Sequence, residues 1–350
     1  MDRVAAFSPA DRQALFQEVA ARRGLSLAII EKDFWVCWTL RRVFALPTLG
    51  ENLIFKGGTS LSKVFGLIER FSEDIDLSIR RDYLGAVGEK DPEQDGISNN
   101  QRNKRVEALR QNCRLTVRKE MLPALRASFA AQLGAEAKEG AEAGDLTWKL
   151  EPDPSEEGTL LFTYPSPRTL TAVPAYIRPQ VKLEMGAGSD PFPLGRRPVR
   201  SYAADTFPEV FKDPEVTVIA LEAERTFWEK ATLLHAECHR PADKATPARL
   251  SRHYYDLMRL SLSPVGQRAL LDQVLRERVV SHKSTYFASN WASYQTARPG
   301  TFQLVPNQER VTELRRDYAQ MRDMIFAHVP TFEEIIGAVT SLERTINDGS

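Results

Sequence analysis

Cysteine is scarce, with only Cys37, Cys113 and Cys238 in 350 residues and no paired spacing among them. That excludes a disulfide-built scaffold and fits a reducing interior. Net charge is absent too, because 47 Lys and Arg balance 47 Asp and Glu. No whole-molecule field gathers nucleic acid, and only a local patch can do so. Long apolar runs are missing: no window approaches the roughly 18 uncharged apolar residues of a membrane helix. The first residues, with Asp2 and Arg3, do not read as an export signal. A cytoplasmic protein without a membrane partner is therefore expected. Of five histidines, only His235 and His239 share a helical face, and no partner cluster stands beside them, so a structural role is expected for both. The length itself allows one large domain or two ordinary ones.

What is present centres on Asn52 to Ile79, NLIFKGGTSLSKVFGLIERFSEDIDLSI. The order reads as strand, tight turn, helix, strand. Alternation in the second strand turns Asp74 and Asp76 to one side and Ile75 and Leu77 to the other. Two neighbouring carboxylates repel, and a divalent hard cation keeps both ionised. Gly57 and Gly58 let the backbone approach a ligand and leave amides unpaired at the start of a helix, where the Thr59 and Ser60 hydroxyls add donors. Lys56 reads equally as a phosphate contact or a solvated flank. Glycines opposite paired carboxylates point to a metal and phosphate site.

Around this centre, Ser8-Pro9 is expected to open a helix over Ala10 to Arg23 that Gly24 ends, and Ser26 to cap another over Leu27 to Leu46. Glu31 and Asp33 read first as favourable charges at that helix's N-terminus, with a bracing role for the EKDFW segment as the alternative. Arg81 to Gly96 is loop-like. Ser98 to Arg126 is helical and carries eight basic and two acidic residues, either a solvated face or a surface for phosphates. Ala130 to Gly144 reads as helix end and surface loop, and Leu146 to Leu150 with Thr159 to Tyr164 as a hairpin. Tyr176 to Gly186 alternates, with Val181, Leu183 and Met185 on one face and Lys182 with Glu184 on the other. A third carboxylate there suits two-metal chemistry. Gly186 to Arg200 is expected to be loop, with Arg196, Arg197 and Arg200 facing solvent. From Val216 the texture reads as helical. On the helix beginning near Ala248, Arg249, Arg252, Asp256 and Arg259 form the side opposite Leu250, Tyr254, Leu257 and Leu260, where Asp256 could sit in an intrahelical ladder. A helical tail runs from Glu309 to about Ile346, broken at Pro330.

FKGGTSLSK followed by RFSEDIDL resembles the nucleotidyltransferase superfamily signature, and in this form it is similar to the AbiEii abortive-infection toxin family. EKDFWV, VKLEMG, ERTFWEKATLLH and RHYYDL follow the family's order over nearly the whole chain. The resemblance implies an α+β fold: a nucleotidyltransferase-like mixed sheet with flanking helices in 1–215, and a mainly helical C-terminal domain in 216–350 that closes the nucleotide cleft. It carries phosphate binding to Gly57, Gly58, Thr59 and Ser60, and metal binding to Asp74 and Asp76. Glu184 resembles the third acidic residue, in place of the more usual aspartate. Lys230 resembles the lysine that supports the triphosphate, and Asp256 the late aspartate.

The activity so implied is Mg²⁺-dependent transfer of a nucleotide from a nucleoside triphosphate. Asp74, Asp76 and Glu184 would hold metal, and Lys56, Lys230 and Arg252 would stand by the phosphates. The chain would be the toxin of a bacterial toxin–antitoxin pair, with transfer RNA as the expected acceptor at its 3′ end and an antitoxin encoded nearby. No oligomerisation surface is legible, and a monomer is expected. A protein or small-molecule acceptor, or a non-catalytic nucleotide- or RNA-binding module, are the alternatives.

Overall fold

Strands form where β-branched and apolar residues alternate, and the described residues supply seven of them, joined in one mixed sheet of order β3-β4-β5-β2-β1-β7-β6. They are β1 Leu53–Lys56, β2 Ile75–Ile79, β3 Lys149–Pro152, β4 Thr159–Thr163, β5 Gln180–Gly186, β6 Leu194–Arg200 and β7 Glu215–Leu221. The computed structural model describes residues 1–137, 147–166, 178–326 and 328–349. The loop expected at 138–144, residue 146 of the hairpin and residues 176–177 of the alternating stretch lie outside the described residues. The chain falls into two compact units, one of Met1–Val64, Ser72–Asp91 and Asn103–Ala220, the other of Phe65–Phe71, Pro92–Arg102 and Leu221–Ser350. Among the described residues no helix is long and apolar enough to cross a membrane.

In the first unit, α1 (Asp2–Ala5) and α2 (Pro9–Arg23) precede α3 (Leu27–Phe44). Ser8 and Ser26 cap α2 and α3, each accepting a backbone N–H three residues on, and Gly24 closes α2 in the left-handed region. Fourteen of the 18 residues of α3 are buried, so it is a core helix rather than an amphipathic cover. Its Trp38 meets Phe129 at 4.8 Å, and Phe129 meets Phe162 of β4 at 4.6 Å. Such edge-to-face aromatic packing fixes the helix on the sheet. After β1 comes α4 (Gly57–Lys63). The basic run forms α5 (Asn99–Thr116) and α6 (Leu122–Leu133), joined by a single π turn over Val117–Met121.

Two expectations change here. The stretch expected to be loop before Arg200 contains β6, an edge strand that tolerates Pro198 and carries exposed Arg196 and Arg197. The helical texture expected from Val216 begins only after β7, whose EVTVIAL alternates buried and exposed positions. A short α7 (Tyr202–Thr206) lies between them.

The second unit is helical: α8 (Ala223–Cys238), α9 (Ser251–Ser261), α10 (Pro264–Leu271), α11 (Gln273–Tyr286), α12 (Gln308–Met321) and α13 (Phe332–Asp348). Pro330 separates the last two, and Thr331 with Glu334 forms a reciprocal capping box for α13. The segment Phe65–Phe71 also belongs to this unit. Arg70 bridges Ile325 in antiparallel fashion, Phe71 N–H donates to the Met324 carbonyl at 2.6 Å and Phe326 N–H to Glu69 at 2.8 Å. That is why α4 stops at Lys63 instead of running on toward β2.

Candidate active site

β1 delivers Lys56, and α4 begins at the next residue. β2 lies antiparallel to β1 and parallel to β5, so Lys56 pairs with Asp76 and Asp76 with Glu184. Register partners point to the same face, and this forms one row across three strands. Ile75 and Leu77 are buried on the opposite face, as the alternation predicts. Asp74 lies just before β2. Gly57 has φ +78°, and a Cβ there would fall 1.9 Å from Asp76 Oδ2. Only glycine permits that approach of backbone to carboxylate.

The neighbouring hydroxyls are both buried. Thr59 Oγ1 donates to the Asp74 carbonyl and lies 3.0 Å from Ser72 Oγ, which ties α4 to the residue before β2. Ser60 Oγ is buried with no hydrogen-bond partner among the described residues. Glu184 Oε1 lies 2.7 Å from Lys182 Nζ, which also meets Glu156 at 2.6 Å. Burial alone would lower the Lys182 pKa, but the two carboxylates outweigh it and raise it, so Lys182 stays charged.

Glu31, Lys32 and Asp33 are buried within α3, past its first turn, and so do not act as charges at its N-terminus. Each braces a different segment. Glu31 accepts from Ser166 Oγ at 3.0 Å, Lys32 meets Glu73, and Asp33 meets Lys63 of α4 at 2.6 Å while accepting the Tyr202 N–H at 2.6 Å. Burial would lower Lys63, but the Asp33 carboxylate beside it outweighs that and raises its pKa, and the Tyr202 ring lies 3.9 Å from its Nζ.

In the second unit Asp256 of α9 is fully buried. Arg70 grips it through two parallel bonds, Nε to Oδ1 at 2.7 Å and Nη2 to Oδ2 at 2.8 Å, and Lys230 of α8 meets Oδ2 at 2.8 Å. Asp256 thus answers cations from outside its own helix, which corrects the intrahelical ladder. Burial would raise its pKa, but Arg70 and then Lys230 lower it well below the usual carboxylate range. An ammonium only donates, so His253 Nδ1 accepts from Lys230 Nζ at 3.3 Å. Burial lowers Lys230, and Arg70 and half-buried Arg252 add to that against the pull of Asp256. The cluster of Arg70, Lys230 and Asp256 carries one net positive charge. Arg70 had no role assigned from sequence; its place inside the RFSED run was the available signal. Lys63, which closes GGTSLSK, was missed in the same way. Arg249 lies before α9, in the left-handed region at φ +62°.

Much of the basic run is spent on neighbours. Arg105 donates to the Asp91 carbonyl, Arg110 and Arg114 share Glu107, Arg114 also meets Glu157, and Arg126 donates to the Leu150 carbonyl. Lys104, Arg118 and Lys119 are exposed. His235, expected to be structural, is buried between Ser293, Thr296 and the Gln303 N–H.

Among the described residues no three His, Cys, Asp or Glu side chains are gathered as a ready metal cage. The donors present suit a different arrangement. Magnesium commonly takes one or two protein carboxylates and completes its octahedron with phosphate oxygens and water, and the carboxyls of Asp74 and Asp76 are of the donor type this needs. Over residues 38–338 the chain matches the family described as nucleotidyl transferase AbiEii toxin, type IV toxin–antitoxin system, and it belongs to that family. It is accordingly a nucleoside-triphosphate-dependent nucleotidyltransferase and the toxin member of a toxin–antitoxin pair. No curated protein matches it in sequence. Among solved structures it is similar to MenT4, a nucleotidyltransferase toxin from Mycobacterium tuberculosis H37Rv, at 16% identity over 94% of this chain and 98% of that one. With a TM-score of 0.36, that likeness bears on neither fold nor chemistry.

Proposed function

We propose that the chain transfers a nucleoside monophosphate to the 3′ end of a transfer RNA, with Mg²⁺ held by Asp74 and Asp76. Family membership supports the chemistry. The observation that carries the siting is the Gly57 backbone lying against the Asp76 carboxylate, with Lys56 level with it on β1. When bound, the metal would offset phosphate charge as the α phosphorus is attacked and pyrophosphate leaves. Lys56 would orient the triphosphate. Glu184, already held by Lys182, would act as a neighbouring charge in the same row. Exposed Lys104, Arg118 and Lys119 are the part of the basic run left to track an RNA backbone.

The test is incorporation of each α-³²P nucleoside triphosphate, with Mg²⁺, into total RNA and total protein of a bacterial extract, beside Asp76→Asn. Label in a transfer-RNA-sized band that disappears with Asp76→Asn is the expected result. Label on protein would replace the acceptor, and no label in either fraction would refute the proposal.

A further inference from the structure

Lys32 stands one contact from the acidic pair, although it lies on a core helix more than 40 residues earlier. Its Nζ meets Glu73 Oε2 with the two side chains only 5% and 13% exposed, and Glu73 is the residue before Asp74. From the other side the Thr59 hydroxyl holds the Asp74 carbonyl. Thr59 belongs to α4, and α4 is tied back to α3 through Lys63 and Asp33 at 2.6 Å. The backbone leading into β2 is thus closed in a ring of contacts that starts and ends on adjacent residues of α3. Desolvating two opposite charges is costly and adds little net stability compared with apolar packing, so a fixed geometry is the physical return of such a pair. Side chains that orient metal-holding groups act in this way.

We infer that Lys32 is a positioning residue which, through Glu73, sets the direction in which the Asp74 carboxylate leaves the chain relative to Asp76. The inference rests on the metal and nucleotide reading of that pair.

The experiment compares wild type, Lys32→Met, Glu73→Gln, the double variant and Asp76→Asn. Three readings are taken: Tm, Mn²⁺ affinity from the electron paramagnetic resonance signal of free Mn²⁺, and kcat and KM for nucleotide incorporation. Lys32→Met strands a buried charge and lowers Tm, and the double variant removes both charges and recovers most of that loss. In the double variant Mn²⁺ affinity and kcat are expected to stay about tenfold or more below wild type, with KM for the triphosphate changed by no more than about threefold. A purely structural pair would regain all three with Tm, and a folded double variant with wild-type Mn²⁺ affinity and kcat overturns the inference. Should the double variant not fold, Glu73→Gln, which keeps a hydrogen bond to Lys32 without the charge, is judged by the same readings. Wild type that binds Mn²⁺ through Asp76 but transfers no nucleotide sinks the enzymatic reading, and the brace is then decided on Mn²⁺ affinity. Wild type that binds no Mn²⁺ overturns the brace.

Discussion

Gly57 and Asp256 show how differently single residues serve the two units. Gly57 is needed for the space it leaves, since a Cβ would sit 1.9 Å from Asp76 Oδ2 and the backbone there is left-handed. Gly57→Ala is expected to cost about 1–2 kcal/mol of stability. Displacing the carboxylate by even an ångström should cost about a hundredfold in turnover. Nucleotide incorporation measured beside Tm separates the two losses, and near-normal turnover would count against Asp76 as a working group. Asp256 is needed for its charge. Asp256→Ala leaves Arg70 and Lys230 buried without their carboxylate and is expected to destabilise by about 3–5 kcal/mol. Urea unfolding reads this directly, and a loss below about 1 kcal/mol would mean that the cations find water instead. Alternation in the sequence predicts that Asp74 and Asp76 share a side. It could not show that Asp256 is a fully buried carboxylate held by two cations, because its partners Arg70 and Lys230 lie 186 and 26 residues away in sequence.

Elements were legible where a local signal marks their ends. Ser8 and Ser26 cap the helices they were expected to cap, Pro330 breaks the C-terminal helical tail as expected, and the hairpin of β3 and β4 pairs as its turn residues imply. They were illegible where tertiary pairing decides. β6 looks like a Pro/Arg-rich loop until the sheet gives it an edge to occupy, and β7 precedes a helix closely enough to be absorbed into it. α3 is the other such case: its three- and four-residue spacing predicts one apolar face, yet it is buried nearly all round and its charges are neutralised by other segments. Its hold on the sheet runs through the aromatic cluster of Trp35, Trp38, Phe129 and Phe162. Phe162→Ala is therefore expected to cost about 3–5 kcal/mol and to lower Tm well beyond a surface change such as Arg196→Ala. Thermal unfolding of the two variants side by side checks this, and equal Tm values would place the core elsewhere.

At the scale of the whole molecule, the balance of 47 acidic and 47 basic side chains predicts little pH sensitivity from net charge near neutrality. The tertiary structure adds one. Burial holds His235 below its ordinary value, and burial with Lys230 and Arg252 holds His253 further below. The unfolded chain therefore takes up these protons first. The stability they contribute is present above about pH 6.5 and is lost as pH falls below it. Asp256, lowered by Arg70 and Lys230, contributes stability that is present above about pH 3.8 and lost further into acid. Tm followed by circular dichroism should fall from pH 7 to 5 and again below 4, with the first fall reduced in His253→Asn. A flat profile to pH 5 would contradict the histidine placement. By itself the sequence marked a metal and phosphate site at the glycine turn and the Asp-x-Asp strand, because that rests on spacing and periodicity within about 30 residues, while the class of chemistry came from the resemblance of its motifs to a known family. Only the tertiary structure decided that Phe65–Phe71 joins the helical unit, that Lys32 and Asp33 brace the acidic strand and α4, and that Arg70 and Lys230 share one buried carboxylate. Those contacts pair charges distant in sequence, and their energy depends on how completely the fold removes water from them.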